Sequence, residues 1–361
     1  MVHDKITIIH IGAGNHSLSL KDNYKQLMKR ALRQSDFLAV AKTIECSKLT
    51  NTGYGSSLNL AGEVECDSSF IEYTTNSYNQ IRSRSLIGID RKYPIVETWK
   101  LFENLDKIYR GNRMGLSRPT SLHFRSAINS VHELDPSAEV EKDEMKNDTL
   151  KSTEAKRIYE TYKDKLFNGE VSLQAIPELS QEITDTVGLI EVSTCGTKIA
   201  TSSGGNFFKI PGRIGCAGVI GAAIDFQRSE FYEISCMCSG NGEDIISMQL
   251  ASYVCSRIIR KAEQEQGDID FAKYLEELVQ QRRSLFELSS TNQEEEASIY
   301  VGVIVTINDL QQNRITLAYC HSTECLYWGF KVSQAQPNIV LSRLASTAKI
   351  GHSFSYGEFR L

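Results

Sequence analysis

The sequence predicts an α+β protein whose sheets pack on one another with helices outside. Three observations predict it. Strand-like runs, helical runs and strands again follow one another in both halves of the 361-residue chain, an order that suits packed sheets better than a doubly wound sheet. The glycine turn after the first strand, Gly12-Ala13-Gly14, lacks the third glycine of a dinucleotide fingerprint, because Ser17 stands in its place. A charged segment poor in glycine and aromatics, residues 132–181, lies between two apolar halves.

In order, Ile6 to Ile11 is an almost continuous apolar run and reads as a strand buried on both faces. His16, in the turn that follows, can be catalytic but reads first as a turn histidine with a structural hydrogen bond. Asp22 to Gln34 is an amphipathic helix with Tyr24, Leu27, Met28, Ala31 and Leu32 on one face. Residues 49–62 form a glycine-punctuated loop. Glu63 to Glu72 and Arg82 to Ile89 read as strands, and Pro94 to Leu105 as a helix. Glu65 and Asp67, two apart on one strand face, are either an acid/base pair or structural carboxylates, the latter being the usual case. The 132–181 segment has apolar residues too sparse to hold a core and reads as a solvated linker with a marginal helix over Thr153 to Phe167. Val187 to Val192 and Thr197 to Thr201 form a strand pair turning at Cys195-Gly196. Phe231 to Cys238 is a strand. Helices span Glu243 to Glu265 and Asp268 to Glu287, and strands run over Ile299 to Ile307, Arg314 to His321 and Glu324 to Val332.

The net charge of -5 is spread along the chain and does not suggest binding to nucleic acid or an anionic membrane. The nine cysteines include no C-x-x-C pair, so neither a zinc ribbon nor a thioredoxin-type site is indicated, and they read as free thiols in a reducing compartment. A polar N-terminus and the lack of a long apolar run predict a cytoplasmic or nuclear protein. No cofactor and no metal are expected.

One junction carries chemistry. Thr186 stands where the polar segment meets a strand. A threonine hydroxyl needs a base, and an N-terminal threonine carries one in its own α-amine, whose reference pKa of about 7.7–8.0 leaves it partly neutral at pH 7. Cleavage before Thr186 would therefore convert an inert residue into a nucleophile. Read alone, Thr186 is more simply a β-branched residue opening a strand. Its neighbours add Ser202-Ser203-Gly204-Gly205, able to return beside it, and Arg213 in a Pro-Gly-Arg-Ile-Gly turn, able to hold a carboxylate bidentately. Ser239-Gly240-Asn241-Gly242, between a strand and a helix, offers N–H groups for an oxyanion.

The block DTVGLIEVSTCGTKIATSSGGNFFKIPGRIG resembles the autocatalytic junction of the plant-type asparaginase family of N-terminal nucleophile hydrolases. HIGAGNHS, LTNTGYGSSLNLAGEVECDSS, SCMCSGNGEDII, YCHSTECLYWGF and SRLASTAKIGHS extend the resemblance over nearly the whole chain outside the linker, and most resemble the threonine aspartase (taspase) branch. The resemblance implies a four-layer αββα sandwich and self-cleavage between Asp185 and Thr186. It implies one domain made of an α fragment, 1–185, and a β fragment, 186–361, that stay together and assemble as (αβ)2. It makes Thr186 the nucleophile, Ser203 its supporting hydroxyl, Arg213 the carboxylate clamp, and Ser239 and Gly240 the oxyanion region. Gly14 and Asn51 would shape the self-cleavage site, and Lys21 would lie near an acidic substrate.

Two departures choose the branch. Asparaginase-type members have an aspartate where this chain has Cys216, and glycine before the nucleophile where it has Asp185. The expectation is a threonine endopeptidase that cleaves protein substrates after aspartate, transcription regulators being the substrate class of taspase relatives. The alternatives are an L-asparaginase or isoaspartyl peptidase, or a non-catalytic scaffold.

Overall fold

The computed structural model describes residues 5–75, 79–110, 115–134, 147–171, 185–265, 268–287 and 298–361. It is an α+β structure. The first half contributes β1 (Lys5–Gly14), α1 (Lys21–Leu32), α2 (Phe37–Glu45), β2 (Cys66–Thr74), β3 (Gln80–Ile89), α3 (Pro94–Arg110), β4 (Ser121–His123), α4 (Phe124–Leu134), α5 (Asn147–Leu150) and α6 (Thr153–Phe167). The second contributes β5 (Val187–Ser193), β6 (Gly196–Ser203), β7 (Ile224–Arg228), β8 (Tyr232–Gly240), α7 (Gly242–Met248), α8 (Leu250–Gln264), α9 (Phe271–Arg283), β9 (Val301–Asp309), β10 (Arg314–His321), β11 (Cys325–Val332), β12 (Asn338–Arg343) and β13 (Ser355–Arg360).

Among these residues, eight strands form one sheet in the order β12-β11-β1-β5-β6-β2-β3-β4, and five form another in the order β13-β10-β9-β8-β7. Only the short β3–β4 pairing is parallel. Strand β1 sits between β11 and β5 and is buried along its length, which is why it reads as a continuous apolar run rather than an alternating one. Ile9 and Ile11 turn toward the helices α1 to α4, packing with Met28, Val40, Phe70 and Phe102. Ile6 and Ile8 turn the other way, into a core shared with Ile224, Met237, Ile304 and Leu317 of the smaller sheet. A third core joins the smaller sheet's other face, through Ile234, Cys236 and Val303, to Val254, Ile258 and Leu275 of α8 and α9. Both faces of each sheet are thus covered by apolar packing, the dominant source of stability in a chain of this kind.

The structure corrects two expectations. The helix expected over Glu243 to Glu265 is two helices. Gln249 adopts a left-handed conformation (φ 45°) between α7 and α8. The first turn of α8 then donates outside the helix: the Ala251 and Ser252 amides bond the carbonyls of Ala222 and Gly221. The segment expected to be a solvated linker is partly core. Ser152 caps α6 by accepting from the Ala155 amide, and Leu150, Ala155 and Ile158 are buried in the first core. Tyr159 stacks on Phe208 and donates to the Leu60 carbonyl. Residues 135–146 and 172–184 of that segment lie outside the described residues.

Candidate active site

Thr186 directly precedes β5, whose first residue, Val187, pairs with Ser202 of β6. It is 2% exposed. Strand β1 runs beside β5 only as far as the His10–Gly188 pair. Its register against β11 shifts between His10 and Gly12. A bulge of this kind re-aims the strand, and it leaves Gly12 facing Asp185. Gly12 has φ +128°, and a Cβ there would lie 2.2 Å from the Asp185 Cγ. Only glycine leaves room for that carboxylate.

Two hydroxyls hold the Asp185–Thr186 peptide from opposite sides. Ser203, the last residue of β6, donates from Oγ to the Asp185 carbonyl oxygen at 3.4 Å and accepts from the Gly205 amide at 3.1 Å. Ser239 Oγ, near the end of β8, accepts from the Thr186 amide at 3.2 Å and from the Ala13 amide at 2.9 Å. Removing it would leave two buried donors unpaired, at a cost of about 1–3 kcal/mol. The Thr186 hydroxyl faces the Cys216 thiol, with Oγ1 and Sγ 3.9 Å apart. Burial pushes the Cys216 thiol up to about 11, against the pull of nearby Arg213, so it stands beside the threonine as a neutral group.

The Asp185 carboxylate pairs with His16, Oδ2 to Nε2 at 3.1 Å. The imidazole is buried. It stacks on Tyr327 with centroids 4.4 Å apart, meets Tyr24 edge-on, and bonds the Cys325 Sγ through Nδ1 at 3.1 Å. Burial alone would lower its pKa, but the Asp185 charge and hydrogen bond, helped by Cys325, outweigh it and raise the value to about 10. His10 is the opposite case. Wedged against Gly188 and Met237, it is held neutral by burial, with its pKa down at about 3.

Arg213 lies among three glycines, with its guanidinium within 3 Å of where a Cβ on Gly205, Gly215 or Gly242 would be. Its Nε and Nη2 bind the Glu243 carboxylate at 2.7 and 2.5 Å. The Arg213 turn is tied down by two carboxylates. Glu65 accepts from the Gly212 amide, and buried Asp67 accepts from Gly215 at 2.6 Å and Gly88 at 3.1 Å. Glu65 and Asp67 therefore hold a turn in place, the structural role that the sequence favours. Asn51 supports the Ser203 loop, donating to the Gly205 carbonyl at 2.8 Å while its own carbonyl accepts from Gly204. Among the described residues no cluster of three or more His, Cys, Asp or Glu side chains is placed to hold a metal ion.

The structure thus brings Asp185, Thr186, Ser203 and Ser239 together, with Asn51 and Arg213 around them. Ser203 contacts the carbonyl rather than the Thr186 hydroxyl, and Ser239 the amide. Gly240 follows at φ +132°, where a Cβ would meet the Tyr300 carbonyl at 2.0 Å, so close packing against the start of β9 explains its glycine. Gly14 ends β1, and its carbonyl accepts from the Cys325 thiol. Lys21 opens α1 and is exposed, and no described hydrogen bond or ion pair links it to the site. His16 has more at stake than a turn hydrogen bond. Its sequence context says nothing of Asp185, 169 positions away. Nor does the spacing of Glu243, one residue into a helix, point to Arg213.

The family model for asparaginase (Asparaginase_2) matches residues 18–284, more than half of the chain. The chain belongs to the asparaginase family. Its members are hydrolases of the N-terminal nucleophile class. Two relatives are each described as a plant-type L-asparaginase. That of Pyrococcus abyssi is 28% identical over 216 residues, covering 58% of this chain and 61% of the relative. That of Pyrococcus furiosus is 27% identical over the same lengths. The chain thus spans about 61% of the length of the curated relatives it matches. The asparaginase match includes Asp185, Thr186, Ser203, Arg213 and Ser239, but not Gly12, Gly14 or His16. No described helix is long and apolar enough to cross a membrane.

Proposed function

We propose that this member of the asparaginase family is a self-processing threonine endopeptidase that cuts its own chain between Asp185 and Thr186 and then cleaves protein substrates after aspartate. The observation that carries the reading is the buried Asp185–Thr186 peptide, held by Ser203 at its carbonyl and by Ser239 at its amide. In the first step the Thr186 Oγ1 attacks the Asp185 carbonyl carbon. The C–O bond forms as the C–N bond breaks, and the hydroxyl proton passes to the departing nitrogen. The Ser203 hydroxyl meets the negative charge that develops on the carbonyl oxygen, the most effective kind of catalytic contact. Water then hydrolyses the ester, releasing the Asp185 carboxylate and the Thr186 hydroxyl, and the amine freed in the first step serves as the base for later turnovers. The three stacked cores fit the αββα sandwich that this chemistry uses.

Cys216 supports an endopeptidase. A neutral thiol beside the nucleophile offers no counter-charge to a free α-amino group, so an internal aspartyl residue suits the site better than a free amino acid. The names of the two archaeal relatives favour a second reading, an L-asparaginase, which would share the self-cleavage. After cleavage the fragments 1–185 and 186–361 would remain one αβ unit.

A denaturing gel tests the shared step: two bands of similar size from the wild type, and one full-length band from Thr186→Ala. A wild-type chain that stays whole refutes both enzymatic readings and leaves a scaffold. Turnover of peptides with internal aspartate, set against L-asparagine and a β-aspartyl dipeptide, then separates the two. Activity on the small substrates alone would overturn the endopeptidase.

A further inference from the structure

We propose that Glu45 is a positioning residue for self-cleavage: through the hydroxyls of Ser202 and Thr52 it fixes Ser203, which meets the Asp185 carbonyl, and Asn51, which holds the Ser203 loop. The inference rests on the reading of Asp185–Thr186 as the scissile bond.

Three features carry it. First, one carboxyl oxygen ties together elements that are far apart in the chain. Glu45 ends α2, and its Oε1 accepts from the Ile95 amide at the start of α3 and from the Ser202 hydroxyl near the end of β6, each at 2.8 Å. Second, the hydrogen bonds continue toward the peptide. The Ser202 and Thr52 hydroxyls lie 2.9 Å apart. Ser202 precedes Ser203, whose Oγ donates to the Asp185 carbonyl. Thr52 follows Asn51, whose carbonyl accepts from the Gly204 amide and whose side chain donates to the Gly205 carbonyl. Third, the network is sealed. Glu45, Thr52 and Ser202 are each 0% exposed, and the Ser57 amide holds the Asn51 side chain from its other end at 2.8 Å. A satisfied polar network of this kind rigidifies what it touches, which is what keeps a reacting group in productive geometry. A cap for α3 alone would need no link to Ser202 or Thr52.

The network suits a neutral Glu45. Its Oε2 is buried with no hydrogen-bond partner, and it stands at the C-terminal end of α2, where the helix dipole disfavours a negative charge. Burial, against the Ile95 and Ser202 hydrogen bonds, raises the carboxyl to about 8, and the Glu97 charge on α3 adds to the rise. Lysines on the surrounding elements turn elsewhere: Lys42 and Lys92 lay their ammonium groups over Tyr93, and Lys198 over Phe37 and Trp99. Ionised, Glu45 would carry charge on an oxygen without a donor, a state relieved only by displacing Ser202 or admitting water. The other groups along the network and the peptide titrate elsewhere. Burial holds His10 down at about 3 and Cys66 and Cys216 up at about 11, while His16, where burial is outweighed by the Asp185 charge, stands at about 10. Asp67, whose carboxyl burial also raises, is kept in every variant used below.

The rate of self-cleavage in Glu45 variants tests the role. Glu45→Gln, which keeps the acceptor and loses the charge, is expected to split within threefold of the wild type at pH 6.5, and Glu45→Leu at least tenfold more slowly. The rate of Glu45→Gln relative to the wild type is expected to rise at least fivefold from pH 6.5 to pH 9, because only the wild type has a carboxyl there to ionise. A ratio that stays constant with pH overturns the proposal, as does Glu45→Gln splitting as slowly as Glu45→Leu, or Glu45→Leu splitting at the wild-type rate. Folding of Glu45→Leu does not limit the test, because the pH ratio does not use it. Amide hydrogen exchange in the uncut Thr186→Ala protein gives a reading without cleavage. Adding Glu45→Leu should lower the protection of the Gly204 and Gly205 amides at least tenfold more than that of Val303 in β9. An equal loss at all three, or no loss, overturns the positioning role. That measurement stands even where a wild-type chain that never splits has removed the proposed function.

Discussion

The Ser203 hydroxyl lies 3.4 Å from the carbonyl oxygen of Asp185, whereas the Thr186 hydroxyl faces only the neutral Cys216 thiol among the described hydrogen-bonding groups. The serine is thus aimed at the oxygen on which charge would develop in the proposed self-cleavage, not at the Thr186 hydroxyl. Ser203→Ala should slow self-cleavage by about 10²–10³-fold, the usual effect of losing one such donor, and Ser203→Thr should restore most of it. A time course on a denaturing gel reads both. Ser203→Ala splitting at the wild-type rate would remove Ser203 from the step.

Glu243 sits in the Arg213 fork, and its side chain is 44% exposed, so it can leave. An acidic substrate group that uses Arg213 must displace it. Glu243→Gln should weaken the resident contact and lower KM for aspartyl peptides several-fold with kcat little changed, the pattern of altered ground-state binding. An unchanged KM would mean that substrate never reaches Arg213.

Glu45 lies behind β6, fully buried, with Oε1 accepting from the Ser202 hydroxyl and the Ile95 amide and with Oε2 unpaired. Burial, against those hydrogen bonds, raises its pKa to about 8. The folded chain therefore keeps a proton that the unfolded chain gives up above its ordinary carboxylate value. This contribution to stability is complete below about pH 4.5 and is lost as the pH rises through 8, on the order of a few kcal/mol in all. Urea unfolding of the uncut Thr186→Ala protein at pH 5 and pH 8.5 should show the decline, and adding Glu45→Gln should reduce it by that amount. An identical decline in the two proteins would show that Glu45 is not the group responsible.

Ile158 is 1% exposed in α6, within the stretch whose composition reads as solvated. Ile158→Ala in the uncut background should cost about 2–5 kcal/mol in denaturant unfolding. A change within about 0.5 kcal/mol would return α6 to the surface.

What the sequence conveys follows from how far its signals reach. The face of α1 is legible because its pattern is local, and so are β1, β5, β6 and the strands after Ile299. The chain's central segment misleads because its composition is averaged over charged residues, while a few apolar side chains among the described ones, Leu150, Ala155 and Ile158, dock it on the core. The break at Gln249 is hidden because the amides of the next turn are satisfied by Gly221 and Ala222, partners that no helical periodicity reveals. Around Thr186 the residue types are legible and their pairing is not. Ser203, Ser239 and Arg213 all stand near the peptide, but which hydroxyl meets the carbonyl, and which cation meets Asp185, depends on the bulge in β1 and on Glu243.

The strand order of the larger sheet has a mechanical consequence. Strands from before and after residue 185 are interleaved in it: β1 lies between β11 and β5, and β2 pairs with β6. A chain severed at Asp185–Thr186 would have no seam along which to part. Pulling the pieces apart means tearing three ladders at once, β11 from β1, β1 from β5 and β6 from β2, so dissociation and unfolding become a single event. Pieces made separately would have to weave themselves together from the unfolded state, whereas a chain folded first and cut afterwards inherits the weave.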